Sequence, residues 1–119
     1  MMGVKNWDLF AYLNKATGWE KTPDEYMQIG KRIQTLRQMF NIKHGIDPWQ
    51  FKMSRRMVGD PPLKAGPLKG KTLRIDEMLR LHWKAFGWDE KTGIPTPDTL
   101  SDLNLETLLH AAHPLLRKK

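Results

Sequence analysis

Apolar residues recur every three or four positions through most of this chain, which is the spacing of one face of a helix. The pattern predicts long helices over residues 7–17, 23–43 and 75–86, and shorter ones over residues 97–102 and 105–112. No segment shows the alternation that is typical of a strand. The sequence therefore predicts an all-α fold, a compact multi-helix array around the second helix, which would be about 30 Å long at about 1.5 Å per residue.

Each long helix carries an apolar stripe that we expect to face the core. Gly30 lies inside the second helix, where glycine costs about 1 kcal/mol relative to alanine, and a close helix crossing would explain it. The expected core positions are Leu9, Phe10, Leu13 and Ala16 in the first helix, Tyr26, Ile29, Ile33, Leu36 and Phe40 in the second, with Met39 and Ile42 beside them, and Ile75, Met78, Leu79, His82, Trp83 and Phe86 in the third.

A repeated phrase separates the helices. Gly18-Trp19 and Gly87-Trp88 each follow a predicted helix. Glycine adopts the left-handed conformation that ends helices, and we expect both tryptophans to insert into the core. Thr22-Pro23 and Thr96-Pro97 then begin the next helices as N-cap and first residue, and Glu25 completes a capping box with Thr22.

Residues 46–72 are predicted to form a long irregular connection rich in proline and glycine, with Asp47 capping a short turn that begins at Pro48. A connection of this length either wraps a surface or faces a partner. Its apolar residues are expected to hold it against the helices; they are Trp49, Phe51, Met53, Met57, Leu63 and Leu68.

Size and composition fit one folded domain, which we place over residues 1–119. Five tryptophans and four phenylalanines argue against a disordered chain. The sequence has no cysteine, so it offers no thiolate ligand for a metal or an iron–sulfur cluster and no thiol nucleophile. The absence of cysteine and of an apolar signal or membrane segment leads us to expect a cytoplasmic protein without membrane contact.

The net charge of +7 is typical of a chain with an acidic partner, nucleic acid or a membrane surface to bind, and also of an ordinary solvated face. The basic residues are dispersed along the chain, and no zinc-finger, helix-turn-helix or RNA-binding pattern is present. We therefore favour solvated faces or an intersubunit surface. A stand-alone basic helical module that binds nucleic acid or an acidic protein remains the alternative.

No segment carries a convincing catalytic or ligand-binding motif. Residues 65–72, Ala-Gly-Pro-Leu-Lys-Gly-Lys-Thr, imitate a phosphate-binding loop, but residues 59–64 cannot form the buried strand that must precede one. His110 and His113 have a spacing that can bind metal but lack an apparent third ligand. His82 is expected to be a hydrogen-bonded core or rim residue, and His44 to lie at a helix end. We predict no catalytic, cofactor-binding or metal-binding residue.

Three segments together resemble the C-terminal part of the aldehyde:ferredoxin oxidoreductase family. The first comprises residues 13–20, 22–25, 29–33 and 40–45, with Thr-Gly-Trp followed by Thr-Pro-Asp-Glu and a long helix. The second is the Gly-Pro-Leu-Lys-Gly turn at residues 66–70, and the third is Gly-Trp-Asp at 87–89 with Gly-Ile-Pro-Thr at 93–96. The resemblance leaves out the tail, residues 106–119. Residues 50–56 depart from the family's acidic pair followed by Leu-Pro-x-Arg.

The resemblance implies an enzyme that oxidises aldehydes with a tungsten- or molybdenum-pterin and a 4Fe-4S cluster and passes electrons to ferredoxin. The family's cluster cysteines and pterin motif lie upstream of the matching region, so this chain alone would bind no cofactor and be inactive. Its implied role is structural: it would close one side of the cofactor cavity and dock on the remaining domains, in the same or a separate chain. The chain would be part of a longer enzyme, a subunit or a remnant. We expect residues 46–72 to make the contact, and an exposed apolar patch to promote self-association of the isolated domain.

Overall fold

The computed structural model describes residues 6–108, and in this range the all-α prediction is confirmed. The α-helices are α1 (Asn6–Thr17), α2 (Pro23–Lys43), α3 (Arg55–Val58), α4 (Ile75–Phe86) and α5 (Pro97–Asp102). Short 3-10 helices occupy Pro48–Gln50 and Glu106–Leu108. The remainder of the helix predicted over residues 105–112 lies outside the described residues. Among those that are described, no helix is both long and apolar enough to cross a membrane.

The predicted helix ends are confirmed at atomic detail. The Thr22 hydroxyl accepts a hydrogen bond from the Glu25 amide at 3.3 Å, and the Glu25 carboxylate accepts one from the Thr22 amide at 2.7 Å. Thr96 caps α5, and Asp47 caps the turn that begins at Pro48. These caps supply partners for amides that have none within the helix, so each helix begins where its cap stands.

The irregular connection contains one helix that the sequence analysis missed. Ser54 caps α3, since its hydroxyl accepts a hydrogen bond from the Met57 amide at 3.4 Å, and Gly59 ends it with φ of +78°. Residues 55–58 contain no helix breaker, so the prolines and glycines that follow limit this helix to one turn without preventing it.

The core lies on a different side of α2 from the one predicted. Thr35, Met39 and Ile42 are the buried residues of α2. Ile33, Leu36 and Phe40, which were expected in the core, are 51%, 47% and 61% exposed. Helical periodicity marks both rows, because both repeat every three or four residues, and only the contacts with other elements distinguish them. The residues that pack against Met39 and Ile42 are Ile94, Leu100, Leu103 and Leu105, with Leu108 at the margin.

The first helix packs on the beginning of α2 by only part of its predicted face. The Phe10 and Tyr26 rings stack with centroids 5.4 Å apart. Asn14 fixes the connecting turn: its side-chain amide donates to the Lys21 carbonyl at 2.8 Å, and its side-chain oxygen accepts from the Lys21 amide and the Tyr26 hydroxyl. Trp19 is 50% exposed, so its predicted insertion into the core is wrong.

Trp88 is buried, as predicted, in the loop of residues 87–96 that joins α4 to α5. Its indole N–H donates to the Thr35 hydroxyl of α2 at 3.3 Å. The Gln38 side chain, also from α2, donates to the Gly93 carbonyl at 2.8 Å. Trp49 donates to the Lys91 carbonyl at 2.6 Å and meets Trp83 of α4 edge to face. This loop therefore connects α2, α4, α5 and the 3-10 turn at Pro48.

The array is a flat plate and differs from the compact shape expected. Its principal extents are 52 × 50 × 19 Å and its radius of gyration is 18.5 Å. A compact domain of this length would have a radius of gyration of about 13–14 Å. The predicted close helix crossing at Gly30 is also wrong, because a Cβ atom built there meets nothing within 4 Å. The helices thus spread out from the 87–96 loop rather than enclosing one another.

We predict that Gly93→Ala destabilises the fold far more than Gly70→Ala. Both glycines have nearly the same left-handed backbone, with φ of +68° and +69°, and each substitution costs about 1–2 kcal/mol for that reason. A Cβ at Gly93 would also lie 2.7 Å from the Trp83 ring and 2.9 Å from Pro48, whereas one at Gly70 meets nothing. Urea unfolding should show an additional loss of about 1–3 kcal/mol for Gly93→Ala. Equal losses in the two variants would contradict this account of the loop.

Candidate docking surface

The segment that imitates a phosphate-binding loop has the wrong context in the structure. Residues 60–74 are exposed, and neither a strand before the segment nor a helix at its end is present. The Gly70 amide donates to the Leu63 carbonyl at 3.0 Å and closes the segment on itself. The segment therefore lacks the flanking strand and helix that hold the phosphates in a P-loop.

The described histidines pack against aromatic rings. His82 is exposed, and its ring lies 4.6 Å from that of Phe86 and edge-on to Trp88 at 5.9 Å, so it belongs to the rim and not to the core. His44 ends α2, as predicted, with its Nδ1 atom 2.8 Å from the Phe40 carbonyl oxygen. His110 and His113 lie outside the described residues. Within residues 6–108, no three His, Asp or Glu side chains are grouped to hold a metal ion.

The Gly-Trp-Asp and Gly-Ile-Pro-Thr motif uses its polar groups to hold its own loop together. Asp89 accepts hydrogen bonds from the Thr92 hydroxyl at 2.8 Å and from the amides of Thr92 and Lys91 at 2.7 and 3.0 Å. The Thr92 hydroxyl, followed by the two amides, lowers the pKa of the Asp89 carboxyl. A carboxylate already satisfied by three donors is suited to fixing a turn and not to proton transfer.

The start of α5 is attached to the end of α4 in the same way. The Gly87 carbonyl accepts hydrogen bonds from the hydroxyls of Thr96 and Thr99 at 2.9 and 2.6 Å. A Cβ at Gly87 would lie only 2.3 Å from the Thr99 hydroxyl oxygen, so this approach requires glycine. The motif at residues 87–99 thus has a structural role, because its hydrogen bonds hold the end of α4 against the start of α5.

Much of the apolar surface of the described residues is exposed and does not contribute to the core. Among the described residues, eight hydrophobic side chains are buried, while sixteen large ones are exposed. Scattered exposed apolar residues are ordinary, but rows of them on helix faces indicate an interaction site. Ile33, Leu36 and Phe40 form such a row, which we call the α2 stripe. Leu9, Tyr12 and Leu13 form a second row on α1.

A shallow apolar groove lies between α4 and the connection that precedes α3. Its volume is about 390 Å³. Phe51 is 73% exposed, so the prediction that it holds the connection to the helices is wrong. That prediction is also wrong for four further exposed residues, Met53, Met57, Leu63 and Leu68. It is confirmed for Trp49, which packs on Trp83. The side chains that line the groove are Phe51, Lys52, Met53, Ile75, Met78, Leu79 and His82.

A second groove of about 560 Å³ runs along the first half of α2, where the chain has no side chain at Gly30. Tyr26 and Met27 lie on its α2 side, and Ala85 and Phe86 of α4 line the other side. An exposed glycine in mid-helix lowers helix stability, and among residues 6–108 no atom approaches Gly30 closely enough to require it. It does leave the α2 backbone open to close approach by a partner.

The fold is thus a helical plate in which the motif at residues 87–99 is structural and rows of apolar side chains are exposed. Residues 2–105 match the family described as "Aldehyde ferredoxin oxidoreductase, domains 2 & 3", and the chain belongs to that family. The resemblance drawn from the motifs is thereby confirmed, with the chain corresponding to the C-terminal region of such enzymes.

Curated relatives give the same result. The tungsten-containing aldehyde ferredoxin oxidoreductase of Pyrococcus horikoshii is 37% identical over 97 residues, which are 82% of this chain and 16% of the relative. The protein of the same name from Pyrococcus furiosus is 40% identical over 83 residues, 70% of this chain and 14% of the relative. The chain therefore spans about one sixth of the length of the curated relatives it matches. No solved structure gives a significant match.

We predict that the stability of the fold falls in acid in a manner that depends on Asp89. Because the pKa of Asp89 is lowered in the folded chain, its contribution is present above its unfolded pKa of about 3.9 and is lost as the pH falls through the folded pKa. Urea midpoints measured between pH 7 and pH 2 should fall less steeply for Asp89→Asn than for wild type.

The Thr92→Val variant provides the complementary measurement. It keeps the carboxylate but removes the hydroxyl that lowers the Asp89 pKa most. Its acid loss of stability should therefore be smaller than that of wild type and should be complete at a higher pH. An unchanged acid profile in both variants would show that Asp89 does not fasten the loop.

Proposed function

We propose that this chain is a structural helical part of a tungsten- or molybdenum-pterin aldehyde:ferredoxin oxidoreductase and encloses one side of its cofactor cavity. The observation that carries the proposal is the α2 stripe: three large apolar side chains in a row, about half exposed, in a chain that belongs to this family. A surface of this kind favours permanent burial against another protein surface.

The donor set of the chain does not fit the family's metal groups. The sequence has no cysteine to ligate an iron–sulfur cluster, and the described residues bring no metal-binding group together. We therefore propose that the pterin, the 4Fe-4S cluster and the catalytic groups belong to the rest of the enzyme. By itself, this chain would have no oxidoreductase activity and no site residues.

Burial of the α2 stripe supplies the affinity for the remaining domains. Complete burial of a large apolar side chain contributes about 1.5–3 kcal/mol relative to full exposure, and these three are about half exposed. Gly30 and the groove beside it would allow a helix or loop of the partner to approach the α2 backbone closely. Permanent interfaces have such apolar centres, and this favours the stripe and groove as the docking face.

We propose that residues 1–119 act as one helical domain, that ferredoxin accepts electrons from the whole enzyme, and that the isolated chain self-associates through its apolar faces. The cysteine-free composition supports a cytoplasmic location. The stand-alone basic module is supported by charge alone, whereas the family membership and the apolar rows both support the docked domain.

The test is purification of the chain from its native source under non-denaturing conditions, with mass spectrometry of the material that elutes with it. We expect its peptides to occur in stoichiometric amounts with peptides of the cofactor-binding part of an aldehyde:ferredoxin oxidoreductase, in one polypeptide or in two. A 13.9-kDa species that elutes without such peptides would contradict the proposal.

A double variant identifies the face that docks. Leu36→Asp with Phe40→Asp places two charges on the stripe but disturbs no buried contact, because both side chains are exposed. It should leave the urea midpoint nearly unchanged and abolish association with the rest of the enzyme. The control is Lys15→Asp with Lys91→Asp, which changes two exposed side chains outside the stripe and the groove and should still associate. Retained association of the stripe variant would exclude the stripe as the docking face.

A further inference from the structure

The positive charge of the chain is concentrated in one segment. Residues 51–74, which we call the basic segment, contain seven Lys or Arg residues and one Asp, a net charge of +6 out of +7 for the whole chain. The other residues are nearly balanced, with thirteen basic and twelve acidic side chains. Although lysine and arginine occur throughout, the excess is thus local and produces a directed field.

The basic segment is fixed by backbone contacts despite its lack of long helices. Within the turn at residues 63–72, the Gly70 amide donates to Leu63 and the Lys71 amide to Leu68, at 3.0 and 3.1 Å. The Leu73 amide donates to the Val58 carbonyl at 2.9 Å and ties the turn to α3. Gly59 passes so near that a Cβ there would be 2.6 Å from the Lys71 carbonyl oxygen. The lysines therefore project from a preorganised frame.

Most of this charge is uncompensated within the described residues. Arg55 pairs with Asp60 at 2.9 Å and Arg74 with Glu77 at 3.0 Å, and these exposed pairs contribute little to stability. Over residues 6–108, the other basic side chains of the segment have no carboxylate within 4 Å; they are Lys52, Arg56, Lys64, Lys69 and Lys71.

We propose that the basic segment is a transient docking site for a small acidic protein, distinct from the apolar face that holds the chain in its enzyme. The inference rests on the proposed function, because it takes ferredoxin as the partner. The centres of permanent interfaces are depleted in lysine, since each buried ammonium must lose its water. Transient electron-transfer complexes are small and use opposite charges to speed encounter.

The uncharged side chains of the basic segment favour a protein over a nucleic acid as its partner. Single-stranded nucleic acids are bound by aromatic rings that stack on bases, and Phe51 is the one aromatic residue in residues 51–74. The remaining exposed large apolar side chains of the segment are leucine or methionine, namely Met53, Met57, Leu63, Leu68 and Leu73. Such flexible apolar groups among charges suit the mixed surface of a protein partner.

The test measures binding of a purified ferredoxin to the full chain by biolayer interferometry at 50 and 300 mM NaCl. The variant Lys64→Gln, Lys69→Gln, Lys71→Gln removes three charges from the basic segment. The control, Lys15→Gln, Lys43→Gln, Lys91→Gln, removes three exposed lysines elsewhere, so both variants have the same net charge. We expect wild-type affinity to fall about tenfold or more at the higher salt, and the segment variant to bind about tenfold more weakly at 50 mM.

Binding by the control should stay within about twofold of wild type, as expected for a site that depends on the placement of charge and not on its total. An equal loss in both variants, an affinity independent of salt, or no binding would overturn the inference. Tighter binding of a duplex RNA or of anionic lipid vesicles through the same three lysines would also overturn it. The Leu36→Asp, Phe40→Asp variant should still bind ferredoxin, so failure of the docked-domain proposal and failure of this one give different results.

Discussion

The close approach of the Gly93 backbone to the Trp83 ring and Pro48 is the contact on which the rest of this structure depends. No side chain fits there, and the carbonyl of the same residue accepts the hydrogen bond from Gln38 of α2. The loop thus reaches three elements within a few residues. With a larger residue at this position, α4 and the turn at Pro48 would have to separate, and Trp88 would lose its place beside Thr35.

A core organised by one loop has a consequence for the surfaces of the helices. The loop contacts α2 by its Thr35, Met39 and Ile42 side, so the second apolar row of the same helix faces away from it. In a plate 19 Å thick, a helix has neighbours on only part of its circumference. The α2 stripe is therefore exposed for a geometric reason: the elements within residues 6–108 are too few to cover both rows.

Local features of this fold could be predicted from sequence, whereas the choice between apolar faces could not. Caps such as Thr22 with Glu25 depend on residues three apart, and their hydrogen bonds form as the spacing indicates. The burial of Met39 in place of Phe40 depends on contacts with residues more than fifty positions away, such as Ile94. Helical periodicity does not show which other elements of the fold pack against a given face of a helix. The site was missed for the same reason, since the α2 stripe has the pattern of a core.

The apolar and basic surfaces differ in the lifetime of the complexes that they can form. Burial of the α2 stripe releases water from carbon surface and becomes more favourable as contact improves, which suits a partner that stays. Close burial of the lysines in the 63–72 turn would remove water from their ammonium groups, which costs free energy. A complex in which these ammonium groups keep part of their hydration is therefore more stable than one in which they are fully buried. Such contacts form quickly and separate quickly. A chain with both surfaces can therefore remain in an assembly by one of them and exchange a second protein by the other.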